Sequence, residues 1–297
     1  MSEDLKDYLV DQRGRVDRAL DAYLPKATER PGTIHEAMRY SLFAGGKRLR
    51  PVICLASAEA CGGESANALP PAAAVECIHT YSLIHDDLPC MDDDDLRRGM
   101  PTSHVKFGEG IAVLAGDALL TIAFEILSRT EPAPPHDAGT YIRELAVASG
   151  SRHLIGGQVM DLEGEGEDVV LGPDELRYIH QSKTAALLTA SIRLGAMTAG
   201  ASGEQLDSLT AYGQSLGLAF QVIDDILDVT QTSEQLGKSA GKDEATAKST
   251  YPALFGLEES RAEAARLTRA AHEALESFGD SARRLHEIAD YLLDREY

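Results

Sequence analysis

The stretch GEGIAVLAGDALLTIAFEILS, residues 108–128, decides the fold class. Ile111, Leu114, Ala115, Ala118 and Ile122 recur at i, i+3, i+4, i+7 and i+11, one apolar stripe of a 3.6-residue helix. Working outward, Leu69 to Leu88 reads as a second long apolar helix. Pro173, Asp174 and Glu175 start another, with proline in the first turn and acids at the positive end of the dipole, and it is expected to run to about Met197. A further helix covers about Glu204 to Val229. Alternating strand patterns are absent and alanine is abundant. The expectation is an all-α fold, a single domain over residues 1–297, with long helices around a central bundle.

Composition narrows the function classes. Lys plus Arg is 28 against 48 Asp plus Glu, a net charge of −20, which repels nucleic acid. Cys54, Cys61, Cys77 and Cys90 show no CxxC spacing and read as reduced structural thiols, which fits a cytoplasmic setting. No apolar run approaches the roughly 18 to 20 residues of a bilayer span, and the acidic start MSEDLKDYLV is not a signal peptide. Glu163 to Gly172 and Gln231 to Thr250 read as loops, the second holding Lys238, Lys242 and Lys248. A connection that long inside a compact domain is usually functional or disordered.

Aspartates carry the strongest chemical signal. YSLIHDDLPCMDDDDLRRG holds Asp86, Asp87 and Asp92 to Asp95, and AFQVIDDILDV holds Asp224, Asp225 and Asp228. A lone acidic cluster is usually a solvated surface. Here both clusters sit directly on apolar helix sequence, where a carboxylate pair costs several kcal/mol to desolvate unless it is paired or binds metal. Asp224 and Asp228 are i, i+4 and share a helix face with Gln221; His79 and Asp86 share another. Pro89 disfavours helical geometry at Leu88, so the helix should fray there and let Asp92 fold back toward Asp86. Oxygen-only clusters without Cys or His suit a hard cation such as Mg²⁺, which keeps waters and binds substrate phosphates.

Scarce cations accompany these acids. Gly45 and Gly46 lead the basic turn GGKRLRP, which contains Lys47, Arg48 and Arg50; Arg97 and Arg98 follow the first acid cluster; Lys183 and Thr184 lie mid-helix in QSKT. Each has a bland reading as a solvated loop, a salt bridge or a snorkelling lysine. Together they suit an anionic, phosphorylated substrate bound through metal.

GGKRLRP, HTYSLIHDDLPCMDDDDLRRG, GGQ (Gly156 to Gln158), QSKT and FQVIDDILD, in this order from about Ile34 to Phe255, resemble the trans-isoprenyl diphosphate synthases. The likeness is greatest to the bacterial enzymes that make farnesyl diphosphate. It implies helices around a central catalytic cavity, a homodimer, and Mg²⁺ (three ions per active site, with Mn²⁺ able to substitute). The implied reaction condenses isopentenyl diphosphate with dimethylallyl or geranyl diphosphate. It further implies Asp86, Asp87, Asp92, Asp224, Asp225 and Asp228 as metal ligands. Lys47, Arg50, His79 and Arg98 would hold isopentenyl diphosphate; Arg97, Lys183 and Lys238 would clamp the allylic diphosphate, with Thr184 and Gln221 near the reacting carbons. Tyr81, five residues before Asp86, would form a floor that stops growth at the fifteen-carbon farnesyl product. Any role of Arg295 stays open. The nearest rival is a geranylgeranyl diphosphate synthase; a class I terpene cyclase and a non-catalytic synthase partner are more distant.

Overall fold

A computed structural model of the chain describes residues 2–164, 171–230 and 250–293. Its elements run α1 (Glu3–Tyr23), α2 (Gly32–Leu42), α3 (Leu49–Ala60), α4 (Leu69–Asp86), a hairpin of β1 (Leu96–Arg97) and β2 (Met100–Pro101), α5 (Ser103–Phe107), α6 (Glu109–Leu127), α7 (Ala138–Ser149), α8 (Leu154–Glu163), α9 (Pro173–Ile179), a π-helical turn (His180–Ala185), α10 (Ala186–Thr198), α11 (Gly203–Thr230), α12 (Tyr251–Phe255), α13 (Leu257–Glu273) and α14 (Arg283–Leu293). The all-α expectation holds, with one two-residue hairpin added. The chain divides into two compact units, residues 2–142 with 194–200, and residues 143–193 with 201–297.

In the first unit α4 is the central helix, packed against α6, α3, α1 and α2. Its sequence explains this position: Ala72, Ala73, Ala74, Val75, Cys77, Ile78, Tyr81 and Ile84 are all buried, so nearly every face is apolar. Small residues let the neighbouring helices come close. Gly195 shows this best, because an added Cβ would stand 1.9 Å from the Cys54 carbonyl oxygen. Gly195→Ala is therefore expected to lower stability by about 1 to 3 kcal/mol, since backbone cannot move aside as a side chain does. Chemical denaturation checks it.

Two expectations need correction at α6. The sequence stripe placed Leu114 inward, but Leu114 is exposed, and the buried face is Ala112, Ala115, Gly116, Leu119, Ile122, Ala123 and Ile126. A helix apolar on most sides does not report by period which side is covered; here Gly116 receives His85, whose Nε2 lies 3.0 Å from the Val113 oxygen. In addition, α6 is long and apolar enough to cross a membrane by length and composition, with 44% of its most apolar stretch buried. Glu109, Asp117 and Glu125 punctuate the run, which is why the sequence did not read as one. Its packing on α4 is that of a core helix.

The second unit is built on α11, 28 residues long, with α13 along it. The fully buried Tyr212 of α11 donates its hydroxyl to the Leu285 carbonyl at 2.8 Å, tying α14 in place. The helix expected from Pro173 to Met197 is present, interrupted by the π-helical turn over the QSKT motif. Such turns occur frequently at functional sites.

Candidate active site

In the first unit α4 ends at Asp86, and Pro89 follows in the turn beyond it. The chain then turns back: the Asp92 amide donates to the Asp86 carbonyl at 2.8 Å, and the Asp94 amide donates to Asp87 at 3.3 Å. The return of Asp92 to Asp86 is thus made through the backbone. Asp87 is buried and receives Arg97 Nε at 2.8 Å, with Nη2 also bonded to the same carboxylate. Burial pushes the Asp87 carboxyl up, and Arg97 pulls it back without cancelling the rise. Arg97, expected to clamp a diphosphate, is held in a fork by Asp87.

The basic turn lies in the same unit. Gly45 and Gly46 have φ of 93° and 118°, a conformation that favours glycine, and α3 begins directly after Arg48. Arg50 Nη1 stands 3.4 Å from His79 Nε2. Burial, with Arg50 and Arg98 beyond it, holds His79 well below the ordinary histidine range, so its ring is neutral and accepts from Arg50. Arg98 and Gly99 form the hairpin turn with φ of 54° and 75°, as a two-residue hairpin connection requires. Arg98 Nη1 then donates to the Gly45 carbonyl at 2.5 Å. Arg50, His79 and Arg98, contributed by three separate elements, therefore meet around the glycine turn, and Lys47 is exposed on that turn.

Tyr81 is 5% exposed, its ring meets His85 edge-on at 5.7 Å, and its buried hydroxyl has no hydrogen-bond partner among the described residues. Burial, then the charge of Asp86, pushes its pKa up to about 12.

In the second unit, Lys183 Nζ donates to Asp161 Oδ2 at 2.6 Å, and Thr184 donates to Gln221 Oε1 at 2.9 Å. Asp161 was missed in the sequence; its signal is its place four residues after Gly157, on one face of α8. Gly157 itself seats the π-turn, because a Cβ there would lie 2.4 Å from the Lys183 amide nitrogen. Asp225 Oδ2 accepts the Tyr251 amide at 3.0 Å, and the buried His180 ring stacks on Tyr251. Asp228 is buried, and its Oδ2 has no hydrogen-bond partner among the described residues. Lys238 and Arg295 lie outside the described residues.

Among the described residues no three His, Cys, Asp or Glu side chains converge into a ready-made metal cage. The donor set nevertheless fits Mg²⁺. It is all oxygen, and the buried Asp228 Oδ2, without a partner among the described residues, is costly until a cation meets it. An ion that takes one or two carboxylates and completes its shell with water and phosphate needs no preformed cage.

An all-α scaffold that presents a cationic turn and two acid motifs on helices defines the isoprenoid synthase class. Residues 31–288 match the polyprenyl synthetase family, and the chain belongs to it. It is a trans-prenyltransferase that acts on isoprenoid diphosphates. The chain is 50% identical to the large subunit 1 of the heterodimeric geranylgeranyl pyrophosphate synthase of Arabidopsis thaliana chloroplasts, covering 99% of this chain and 80% of that one. It is also 50% identical to the chloroplastic geranylgeranyl pyrophosphate synthase of Catharanthus roseus, covering 99% and 82%. The crystal structure of an FPP/GFPP synthase from Zymomonas mobilis superposes with a TM-score of 0.89 at 38% identity, covering 99% of this chain and 100% of that one.

Proposed function

We propose that the chain is a Mg²⁺-dependent synthase whose main product is geranylgeranyl diphosphate, built by adding isopentenyl diphosphate to allylic diphosphates. The observation that carries the product length is the 50% identity, over almost the whole chain, to relatives named for the twenty-carbon product. The fifteen-carbon farnesyl product is the second reading, and the buried ring of Tyr81 one and a half turns below Asp86 favours it.

Lys47, Arg50 and Arg98, with neutral His79 as partner of Arg50, hold the isopentenyl diphosphate. Asp86, Asp92, Asp224 and Asp228 would hold the metal, with Asp87 fixed by Arg97 and Asp225 by the Tyr251 amide. Bound Mg²⁺ supplies Lewis-acid stabilisation of the leaving oxygens. Arg97 in the first unit and Lys183 in the second are each a preorganised positive charge suited to stabilising diphosphate oxygens. Each is held beforehand by a carboxylate, Lys183 by Asp161 and Arg97 by Asp87. The allylic C–O bond breaks with its electron pair on the diphosphate. The alkene of isopentenyl diphosphate then attacks the allylic cation, and the last proton goes to the released diphosphate. No protein nucleophile takes part. A homodimer is part of this proposal.

Incubation with both five-carbon diphosphates and Mg²⁺, followed by chromatography of the dephosphorylated products, is the test. A twenty-carbon alcohol is expected. A fifteen-carbon product establishes the second reading, and no chain growth overturns both.

The two substrate sites are separable by kinetics. Lys47→Ala and Arg50→Ala should mainly raise KM for isopentenyl diphosphate, by about tenfold or more, whereas Lys183→Ala should mainly lower kcat by about a hundredfold. Steady-state rates with each substrate varied decide; the same effect from all three substitutions contradicts the assignment.

A further inference from the structure

Arg48 stands between two proposed isopentenyl diphosphate ligands, Lys47 and Arg50, yet it points the other way. It is 4% exposed, and its guanidinium spends its donors on the protein. Nε donates to Asp17 of α1 at 2.8 Å, Nη1 to Glu76 of α4 at 2.9 Å, and Nη2 to the Leu42 carbonyl at the end of α2 at 2.6 Å. Arg48 is also one of the few non-glycine residues with positive φ, at 52°. A long side chain keeps such a backbone conformation only where its surroundings over-determine it.

Glu76 is the second half of the device. It is 3% exposed, a buried anion on α4 one turn before His79. Burial pushes the Arg50 and Arg98 guanidiniums down, and Glu76 is the charge that opposes this most in both. The Gly45 carbonyl completes the link: Arg98 Nη1 reaches it at 2.5 Å and Arg48 Nη1 at 3.4 Å, so one backbone oxygen lies under both arginines. Like charges brought this close repel before any substrate arrives. A buried carboxylate beneath them offsets that repulsion without competing for the ligand at the surface.

We propose that the Arg48–Glu76 pair is a positioning element for the isopentenyl diphosphate site, fixing where Lys47, Arg50 and Arg98 present their charges. This rests on the reading of those three residues given above. Neither Arg48 nor Glu76 touches substrate. Both act by holding the turn, as a rigid supporting shell holds a binding constellation.

Removing one partner of a buried ion pair leaves an uncompensated charge, whereas removing both with apolar residues of similar volume often restores stability. This separates support of the fold from positioning. Arg48→Met and Glu76→Leu should each lower the melting temperature, and the double variant should recover most of that loss. The double variant should still show a KM for isopentenyl diphosphate raised about tenfold to a hundredfold, with KM for the allylic diphosphate within about twofold of wild type. A double variant with wild-type KM for isopentenyl diphosphate overturns the proposal. Arg48→Lys keeps the charge but loses the planar fork, so it is the gentler variant should the double one not fold. It should raise the same KM; if it folds with an unchanged KM, the proposal is overturned. Lys47→Ala serves as the control. An unchanged KM for isopentenyl diphosphate there overturns the site reading, and the proposal falls with it; a raised KM beside an unaffected double variant overturns the proposal alone.

Discussion

Asp86→Ala and Asp224→Ala are each expected to lower kcat/KM by about a hundredfold or more, the usual cost of deleting a group that stabilises developing charge. The two residues are half-buried, Asp86 at the last position of α4 and Asp224 on α11 one turn before the buried Asp228. Aspartates alone would repel a leaving diphosphate, so on the proposed mechanism their value depends on a bound cation. Chelation should therefore reproduce the loss in wild-type protein, and Mg²⁺ or Mn²⁺ should reverse it. Full turnover in excess EDTA would sink the assignment. Circular dichroism of both variants should match wild type, because neither side chain is fully buried. Asp87→Ala should behave differently, with a lowered melting temperature, because it strands the Arg97 fork.

On the second, fifteen-carbon reading, Tyr81→Ala should lengthen the product by one or more five-carbon units. The residue lies about 7.5 Å below Asp86 along the helix axis at 1.5 Å per residue. A hydrocarbon tail growing down the helix from the diphosphate end would meet its ring. Removing that ring from a site 5% exposed should also cost about 3 to 5 kcal/mol where the cavity does not collapse. Tyr81→Phe is the matched control. It keeps the ring and deletes a buried hydroxyl with no partner among the described residues, so stability should be unchanged or raised and product length unchanged. Chromatography of the products of folded Tyr81→Ala decides. If chain length does not change, the floor lies elsewhere, nearer Ile78 or on a facing helix.

The sequence by itself determined what depends on residues close along the chain. The 3.6-residue period marked the long helices. The spacing of Asp224 and Asp228 put both on one face of α11, and Pro89 marked the end of α4 and the return of Asp92, which the backbone hydrogen bond from Asp92 to Asp86 realises. These follow from local geometry, which sequence encodes directly. Only the tertiary structure decided which charge meets which. Lys183 pairs with Asp161 across 22 residues, Arg48 with Glu76 across 28, and Asp87 takes up Arg97 across 10. It also chose the covered face of α6, where periodicity pointed Leu114 the wrong way, and opened the π-turn under QSKT. The physical reason is that periodicity tells which side of a helix is apolar but not what will stand opposite. A buried charge is settled by whichever partner the packing of distant segments brings within hydrogen-bond reach.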